Sequence, residues 1–346
     1  MENTRKALYN QILKETSNSP LQTMEFEGNT YYFKLDYKLG YGECHYSRVF
    51  AKLLFLKESL GIIKVGDTLL ETTSGSGGRA AASLATALGY KIKIAVPAGG
   101  EIAREQAIVK AGGELILTPK EDYVNGFPEF VKKFMSEHPE AIYLNHVMGD
   151  IYGRGYGVNG TAIDGFKPFV EEVALEGITP DIVICPLGNG TTTLPMATGF
   201  KSLYRKTQVV GFEAASSALV YKKMYGNAYA ENFQVDPKIL PRHNFPGTTT
   251  ADPIFVVPAL EASVPFLDRV MLVTNNVINQ NFITATGSLP KGDTVMCDDV
   301  NYPNMEEFGR TGKAGFAVAC EYVKTRKLKN KKILIPVFDA AWHYDS

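Results

Sequence analysis

The chain has 346 residues, of which 45% are hydrophobic and 21% are charged. These values are ordinary for folded globular domains and exclude a disordered, collagen-like or coiled-coil chain. The 36 basic and 37 acidic residues leave a formal net charge of −1. Because no charge excess would attract a polyanion, we expect a small-molecule partner, and neither nucleic acid nor a membrane.

The cysteine pattern and the N-terminal residues indicate the compartment. Four cysteines (Cys44, Cys185, Cys297 and Cys320) stand far apart, and no Cys/His spacing is typical of zinc, so we expect reduced thiols and no metal. The first residues, MENTRKALYNQILKE, mix charges and lack the apolar stretch of a signal peptide. The sequence therefore predicts a cytoplasmic protein.

Short apolar strands alternate with helical patterns along the whole chain. In chain order, the predicted strands are TYYFKLD from Thr30, TLLE from Thr68, KIKIAV from Lys91, ELILT from Glu114, IYLN from Ile142, DIVICPL from Asp181, QVVGFE from Gln208, MLVT from Met271 and KILIPVF from Lys332. The predicted helices cover 47–60, 77–88, 102–111, 128–137, 159–176, 191–204 and 305–327. This alternation is typical of βαβ units in an α/β fold with parallel sheets. The segment 228–253 lacks periodicity and is predicted to be a long surface segment.

Two glycine-rich loops each join a predicted strand to a predicted helix. They are ETTSGSGGR at 71–79 and PLGNGTTT at 186–193. Backbone N–H groups at such strand-to-helix turns bind small anions, and glycine permits the positive φ angles that turn them inward. Neither loop matches the P-loop or GxGxxG spacing, and each alone is also explained as a tight turn with Ser/Thr caps. Two such loops in two halves of the chain favour an anionic ligand held between two domains.

The first loop and its continuation, RAAASLATALGYKIKIAVPAGGEIAREQAIVKAGGELILT, resemble the cysteine synthase, cystathionine β-synthase and threonine dehydratase superfamily. These are the fold-type II enzymes of pyridoxal phosphate (PLP). The other landmarks, in the family's order, are SPL at 19–21, GNGTT at 188–192, GFE at 211–213, GFAVA at 315–319 and IPVFD at 335–339. The resemblance therefore extends over nearly the whole chain.

The resemblance implies a fold and a cofactor. The fold is a two-domain, three-layer α/β architecture similar to the tryptophan synthase β-subunit. A smaller domain at 42–150 carries the TSGSGG loop, and a larger domain, 1–41 plus 151–346, carries the GNGTT loop. PLP would bind in the cleft between them. The resemblance also implies a homodimer, amino-acid metabolism, and lyase or transferase chemistry.

The family's site residues transfer onto both loops. Phosphate contacts would fall on Gly188, Asn189, Gly190, Thr191 and Thr192. Contacts to the substrate carboxylate would fall on Thr73, Ser74, Gly75 and Gly77, with Asn145 as a looser match, and Ser76 stands where the family's asparagine touches the cofactor ring oxygen.

The sequence departs from the family at the lysine that binds the cofactor as a Schiff base. In ECHYSRVFA, with Arg48 and Ala51 in register, Tyr46 occupies the lysine position. A phenol cannot form an imine with an aldehyde, so the usual covalent link is not available there. Two further contacts change, because Ser76 replaces the asparagine and Ala340 falls at the Ser/Thr that meets the pyridine nitrogen. PLP, or a PLP adduct, would then be held non-covalently.

Other roles for these positions stay open. Lys52, Lys38 and Lys313 are alternative amines, although Lys52 would break the register by nearly two helical turns. Tyr46 is alternatively a core aromatic residue.

Histidines near the loops are candidates for proton chemistry. His45 and Tyr46, at a predicted helix N-terminus, both carry groups suited to proton transfer. His138 and His146 show no partner spacing and are interpreted as surface or capping residues. The role of His243, in the 228–253 segment, stays open.

The C-terminus supplies a last cluster, Asp339, Trp342, His343 and Tyr344, directly after the last predicted strand. Its aromatic rings could stack on a flat ligand or cap the core.

Three functional hypotheses remain. The first is a family member with altered chemistry that acts on a small amino acid or a derivative. The second is a non-catalytic binding or scaffolding protein. The third is an ordinary PLP β-elimination or β-replacement enzyme that uses a displaced lysine.

Overall fold

The computed structural model describes residues 2–147, 160–234, 248, 258–289, 294–297 and 304–344. They pack in two units. The first unit comprises Met1–Pro20, Leu35–Phe169 and Phe338–Ser346, and the second comprises Leu21–Lys34 and Val170–Val337. The predicted smaller domain, 42–150, falls within the first unit, which also takes in segments from both ends of the chain. The predicted domain boundaries therefore differ from the boundaries of the two packing units.

The helices and strands alternate through both units. The helices are α1 (Asn3–Glu15), α2 (Tyr46–Ser59), α3 (Gly77–Ala87), α4 (Ile102–Lys110), α5 (Phe127–Glu137), α6 (Thr161–Phe166), α7 (Pro168–Leu175), α8 (Thr193–Leu203), α9 (Leu219–Tyr225), α10 (Ala228–Phe233), α11 (Pro258–Ser263), α12 (Asn276–Thr286) and α13 (Arg310–Thr325). The strands are β1 (Leu21–Phe26), β2 (Asn29–Leu35), β3 (Thr68–Thr72), β4 (Lys91–Pro97), β5 (Glu114–Thr118), β6 (Ile142–Tyr143), β7 (Ile182–Pro186), β8 (Gln208–Ala214), β9 (Arg269–Thr274), β10 (Thr294–Met296) and β11 (Lys332–Val337).

The first unit is built on a four-stranded parallel sheet in the order β5-β4-β3-β6. Alanines 80–82 and 85 of α3 are buried in its core with Phe50 and Leu54 of α2. Small side chains let α3 lie close to its neighbours, so that Ile108 of α4 would crowd a Cβ placed on Gly78. This packing holds the loop before α3 against α4.

The second unit contains a seven-stranded sheet in the order β1-β2-β11-β7-β8-β9-β10. The first two strands form an antiparallel hairpin, and the neighbouring pairs from β11 to β10 are parallel. Every residue of β7 is buried, as expected for a parallel strand covered on both faces. The glycine-rich loop at 186–193 follows this central strand directly.

All nine predicted strands are confirmed within one or two residues. The predicted helix 159–176 is wrong as one element: α6 ends at Phe166, and α7 begins at Pro168, whose nitrogen has no hydrogen to donate. The segment 228–253 is also corrected, because it opens with α10. The rest of it, His243 included, lies outside the described residues apart from Gln234 and Thr248. No helix among the described residues combines the length and the hydropathy needed to cross a membrane.

A buried ion pair holds the first turns of α2. The guanidinium of Arg48 donates from Nε and Nη2 to Oδ2 and Oδ1 of Asp36, at 3.0 and 2.9 Å. Ser19 bridges the two side chains: its Oγ accepts from Arg48 at 3.0 Å and donates to Asp36 at 2.6 Å. Both charged side chains are at most 1% exposed. The orientation of α2, and of Tyr46 at its start, therefore depends on charges that have no access to water.

Removing one partner should test this dependence. We expect Arg48→Met to lower the free energy of unfolding by about 3–5 kcal/mol, because Asp36 is left charged and buried. The matched control is Lys93→Met, which breaks the more exposed pair of Lys93 with Glu114 and should cost about 0–1 kcal/mol. Urea unfolding followed by circular dichroism measures both. Equal losses in the two variants would contradict a structural role for the buried pair.

Candidate functional site

The first glycine-rich loop turns tightly between β3 and α3. Thr73 accepts the N–H of Gly75 on its hydroxyl at 3.2 Å and donates its own N–H to Ala95. The N–H groups of Ser74, Ser76 and Gly77 donate to no acceptor in the described part of the chain. These groups surround the N-terminus of α3, where the helix dipole favours an anion.

The ring of Tyr46 lies against this loop. Its Cδ2 is 3.3 Å from the point where a Cβ of Gly77 would stand. On other sides it meets the rings of His45 (centroids 4.1 Å apart) and His146 (5.1 Å, perpendicular). The structure thus brings together the predicted catalytic pair, His45 and Tyr46, and the loop predicted to bind a carboxylate. Tyr46 is half-buried and packs against the hydrophobic core of the first unit, so its role as a core aromatic residue stays open beside the functional one.

His45 is stacked between Tyr46 and Phe338, whose ring centroid lies 4.3 Å away. Burial lowers the pKa of His45 to about 3, and the charges of His146 and Arg48 act in the same direction. Its Nδ1 is buried and has no hydrogen-bond partner. His45 is therefore neutral near pH 7, and it is a weak base.

The interpretation of His146 as a surface or capping residue is wrong. His146 is only 3% exposed, and its ring contacts both Tyr46 and Phe50. Its Nδ1 lies 3.2 Å from Oε1 of Glu71, a fully buried side chain at the end of β3. His138, by contrast, has a 43% exposed side chain, as the sequence predicts. Asn145 is half-buried with φ of +53°, directly before His146.

The C-terminal cluster packs on the first unit. Trp342 donates its Nε1–H to Glu43 at 3.1 Å and stacks on His343, with ring centroids 3.8 Å apart. Tyr344 donates to Asp339 at 2.6 Å, and the Arg104 guanidinium lies 4.5 Å from the Tyr344 ring. These contacts support the interpretation of the cluster as a cap.

Burial dominates the ionisation of this cluster. It raises the pKa of Asp339, against the opposing effect of Arg104 and of the Tyr344 hydrogen bond. It lowers the pKa of His343 to about 3. Both side chains therefore tend towards their neutral forms.

The alternative lysines lie in other surroundings. Lys38 is exposed beside the ring of Tyr37, and the Nζ of Lys52 lies 5.8 Å from the Phe55 ring centroid. Lys313 belongs to α13 of the second unit. None of these contacts involves the Tyr46 ring.

The second glycine-rich loop joins β7 to α8 in the second unit. Gly190 has φ of +87°, and a Cβ on it would lie 2.2 Å from the backbone N of Leu260. Only glycine satisfies both the conformation and the contact. The N–H groups of Gly188, Asn189 and Gly190 donate to no acceptor among residues that the structure describes. Thr191 differs, because its N–H donates to the Asn189 side chain at 3.0 Å.

Comparison with known families decides how these loops are interpreted. A family model described as "Pyridoxal-phosphate dependent enzyme" matches residues 12–276, which is more than half of the chain. The chain belongs to this family. The cofactor of the family is PLP, and the second loop fits a phosphate, since three backbone N–H donors surround a turn that leaves no room for a Cβ at Gly190. Tyr46 does not fit covalent attachment, because a phenol forms no imine.

Sequence matches to individual proteins agree with this family assignment. The chain is 29% identical over 185 residues to a cystathionine β-synthase of Dictyostelium discoideum, covering 52% of this chain and 35% of that protein. It is 26% identical over 197 residues to a cysteine synthase of Staphylococcus aureus, covering 55% of this chain and 58% of that protein. The matches therefore span about a third to three fifths of the lengths of these relatives.

Solved structures of similar proteins confirm the α/β fold of fold-type II enzymes. A hydrogen sulfide-producing enzyme from Fusobacterium nucleatum superposes with a TM-score of 0.74 at 20% identity, covering 97% of this chain and 99% of that one. A cysteine synthase from Entamoeba histolytica gives 0.72 at 19% identity, covering 99% and 91%. An O-ureido-L-serine synthase gives 0.72 at 18%, covering 96% and 92%.

The sequence missed two residues of the first site, Glu71 and His146. The signal was present, because His146 follows the short strand that pairs with β3, and the carboxyl ends of parallel strands meet at one edge.

Gly190→Ala tests the shape of the second loop. We expect it to unfold at lower urea concentration, because the added Cβ costs about 1–2 kcal/mol at a positive φ and also collides with the Leu260 backbone. Gly177→Ala is the matched control, since Gly177 has φ of +74° with nothing within 4 Å of its Cβ position. If Gly190→Ala lowers the urea concentration of unfolding no more than Gly177→Ala does, the close packing of this loop is contradicted.

The neutral state of His45 predicts a pH dependence of stability. Between its ordinary pKa of 6.5 and about 3, the unfolded chain binds a proton at His45 that the native protein does not. Stability should therefore fall as the pH falls through this window, by up to about 1.4 kcal/mol per pH unit for this residue. His45→Phe keeps an aromatic ring and should reduce that slope in urea unfolding at several pH values. Equal slopes in parent and variant would show that His45 titrates normally.

Proposed function

We propose that this chain is a cysteine synthase-like protein that holds PLP or a PLP adduct without a covalent bond at residue 46. Its ligand would be a small amino acid or a derivative, and its chemistry would differ from that of family members that have the lysine. We include in the proposal a homodimer, the commonest assembly, and a cytoplasmic location, which agrees with four free cysteines.

The observation that carries this proposal is the geometry of the second loop. Gly190 is in a conformation and a contact that no other residue type accepts, and the N–H groups from Gly188 to Gly190 lack protein acceptors in the described part of the chain. A chain that only retained the fold would have no physical reason to keep so restrictive a turn. The Thr191 N–H would join these donors only if the Asn189 side chain released it.

The first loop supports an amino-acid ligand. The N–H groups of Ser74, Ser76 and Gly77 at the start of α3 suit a carboxylate. Asn145 directly precedes His146, whose ring contacts Tyr46. PLP, when bound, supplies an electron-withdrawing ring that stabilises negative charge on the carbon next to the amino group. The residues of this chain would bind and orient the ligand and exclude water.

A binding protein without turnover is the second candidate. It is favoured by the three changed positions, Tyr46, Ser76 and Ala340, and by His45, which is neutral and weakly basic. Both candidates require the same non-covalent binding of PLP, so they are distinguished by turnover of amino acids in the PLP-loaded protein and by its loss in Tyr46→Phe.

Thermal unfolding with and without ligand tests the binding. We expect PLP to raise the melting temperature, since a ligand at 100 times its Kd stabilises the native state by about 2.7 kcal/mol. Pyridoxal, which lacks the phosphate, should raise it much less. Absence of any shift with PLP would contradict the proposal.

Tyr46→Lys tests the position of the missing amine. We expect PLP to become covalently attached in this variant, seen as visible colour that borohydride bleaches and as added mass at residue 46. Tyr46→Phe is the matched control and should bind PLP without attachment. Borohydride trapping of PLP on Lys38, Lys52 or Lys313 of the unchanged protein would instead support an enzyme with a displaced lysine.

A further inference from the structure

The Glu71 carboxylate and the His146 imidazole lie together beside Tyr46. Glu71 is the first residue of the first glycine-rich loop, at the end of β3, and the sequence had assigned His146 to the surface or to a capping role. The inference drawn from them rests on the proposed function, because it concerns the group that accepts protons in the same site.

Strand pairing places the two residues at one edge of the sheet. In the parallel pair of β3 and β6, Leu70 stands opposite Tyr143. The ladder continues one residue further, as the Leu144 N–H donates to the Leu70 oxygen at 2.9 Å. Glu71 and His146 are the next polar side chains on their respective segments, apart from Asn145.

The carboxylate of Glu71 is bound at both oxygens. Oε1 accepts the N–H of Thr72 at 2.8 Å, and Oε2 accepts the backbone N–H of His146 at 3.2 Å. Glu71 is 0% exposed and cannot turn towards water. These two hydrogen bonds hold the Glu71 carboxylate in place independently of the His146 imidazole.

The His146 ring faces the same carboxylate. Its Nδ1 lies 3.2 Å from Oε1 of Glu71, at ion-pair distance but off the line of a straight hydrogen bond. A negative oxygen at this distance favours the proton on Nδ1 and leaves Nε2 without one. The ring is held from other sides by Tyr46 and Phe50, with centroids 5.1 and 5.2 Å away.

His45, the other histidine in contact with Tyr46, is less suited to accept a proton. Burial keeps His45 neutral and makes it a weak base, whereas a proton acceptor works best when its pKa is close to the operating pH. Among the described residues the His45 ring forms no ion pair with a carboxylate, and the group that raises its pKa against burial is the Phe338 backbone. Of the two rings, only His146 is oriented by a carboxylate.

We propose that Glu71 and His146 form a carboxylate–imidazole pair in which Nδ1 carries the proton and Nε2 is the proton acceptor of the site beside Tyr46. When Nε2 accepts a proton from a ligand's ammonium or hydroxyl group, the donor keeps the electron pair of the broken bond. The imidazolium that forms has its positive charge opposite Glu71. Glu71 is then a positioning residue that acts through His146.

Nitrogen NMR of the full chain tests the pair without any assay of activity. The chain contains five histidines, so ¹⁵N-histidine labelling gives few signals, which single variants assign. At about pH 8.5, where a histidine of ordinary pKa is neutral, we expect His146 to show a protonated Nδ1 and an unprotonated Nε2. A protonated Nε2 in the unchanged protein would overturn the proposal.

Glu71→Gln should change this tautomer. Glutamine keeps an oxygen acceptor for the Thr72 N–H but loses the charge, so we expect the Nδ1–H population of His146 to fall by more than half. The matched control is Glu140→Gln, because Glu140 lies 3.5 Å from Nδ1 of His138 with both side chains exposed, and the His138 spectrum should stay unchanged. An unchanged His146 tautomer in folded Glu71→Gln would also overturn the proposal. If this variant does not fold, the spectrum of the unchanged protein still decides.

The experiments can refute this inference and the proposed function independently of each other. A protein that binds PLP but has a protonated Nε2 at His146 refutes the pair alone. A protein with the expected tautomer but no response to PLP refutes the cofactor proposal alone.

Discussion

The bidentate contact of Arg48 with Asp36 is the interaction on which the first site depends. Both side chains are buried, and Ser19 completes the contact with hydrogen bonds to both partners. Because the pair fixes the first turns of α2, it also sets where Tyr46 stands relative to Gly77. The position of the Tyr46 phenol is therefore held by Arg48, two residues further along the same helix, and by its partner Asp36.

The described part of the first site combines neutral groups with one basic side chain at the loop. Burial keeps His45 neutral, and the loop before α3 presents backbone N–H groups, while the Arg104 guanidinium donates to the Ser74 carbonyl at 3.5 Å. Glu71 is the buried charge next to it, and its oxygens are occupied by N–H groups and by His146.

The second site depends on backbone shape instead of side-chain charge. Gly190 lets the turn after β7 approach the backbone of Leu260, and a side chain of any kind would open that contact. Conformational freedom of one glycine thus determines whether the N–H groups around it can converge on a phosphate. Both loops leave backbone N–H groups without a protein acceptor in the described part of the chain, but the turns are closed differently. The first turn is closed by the Thr73 hydroxyl, and the second by the conformation of Gly190.

The sequence alone predicted the α/β class, all nine of the stronger strands and both glycine-rich loops, because strand periodicity and glycine clusters are local properties of the chain. It missed the helices α1 and α12 and short elements such as β10 and α11, and it treated 159–176 as one helix although α7 begins anew at Pro168. It also named Tyr46 and His45 from motif register. Only the tertiary structure showed that His146 is buried against Tyr46 and faces Glu71, 75 residues away in sequence. Burial and long-range pairing arise from how parallel strands stack side by side, and neither is encoded in the spacing of neighbouring residues.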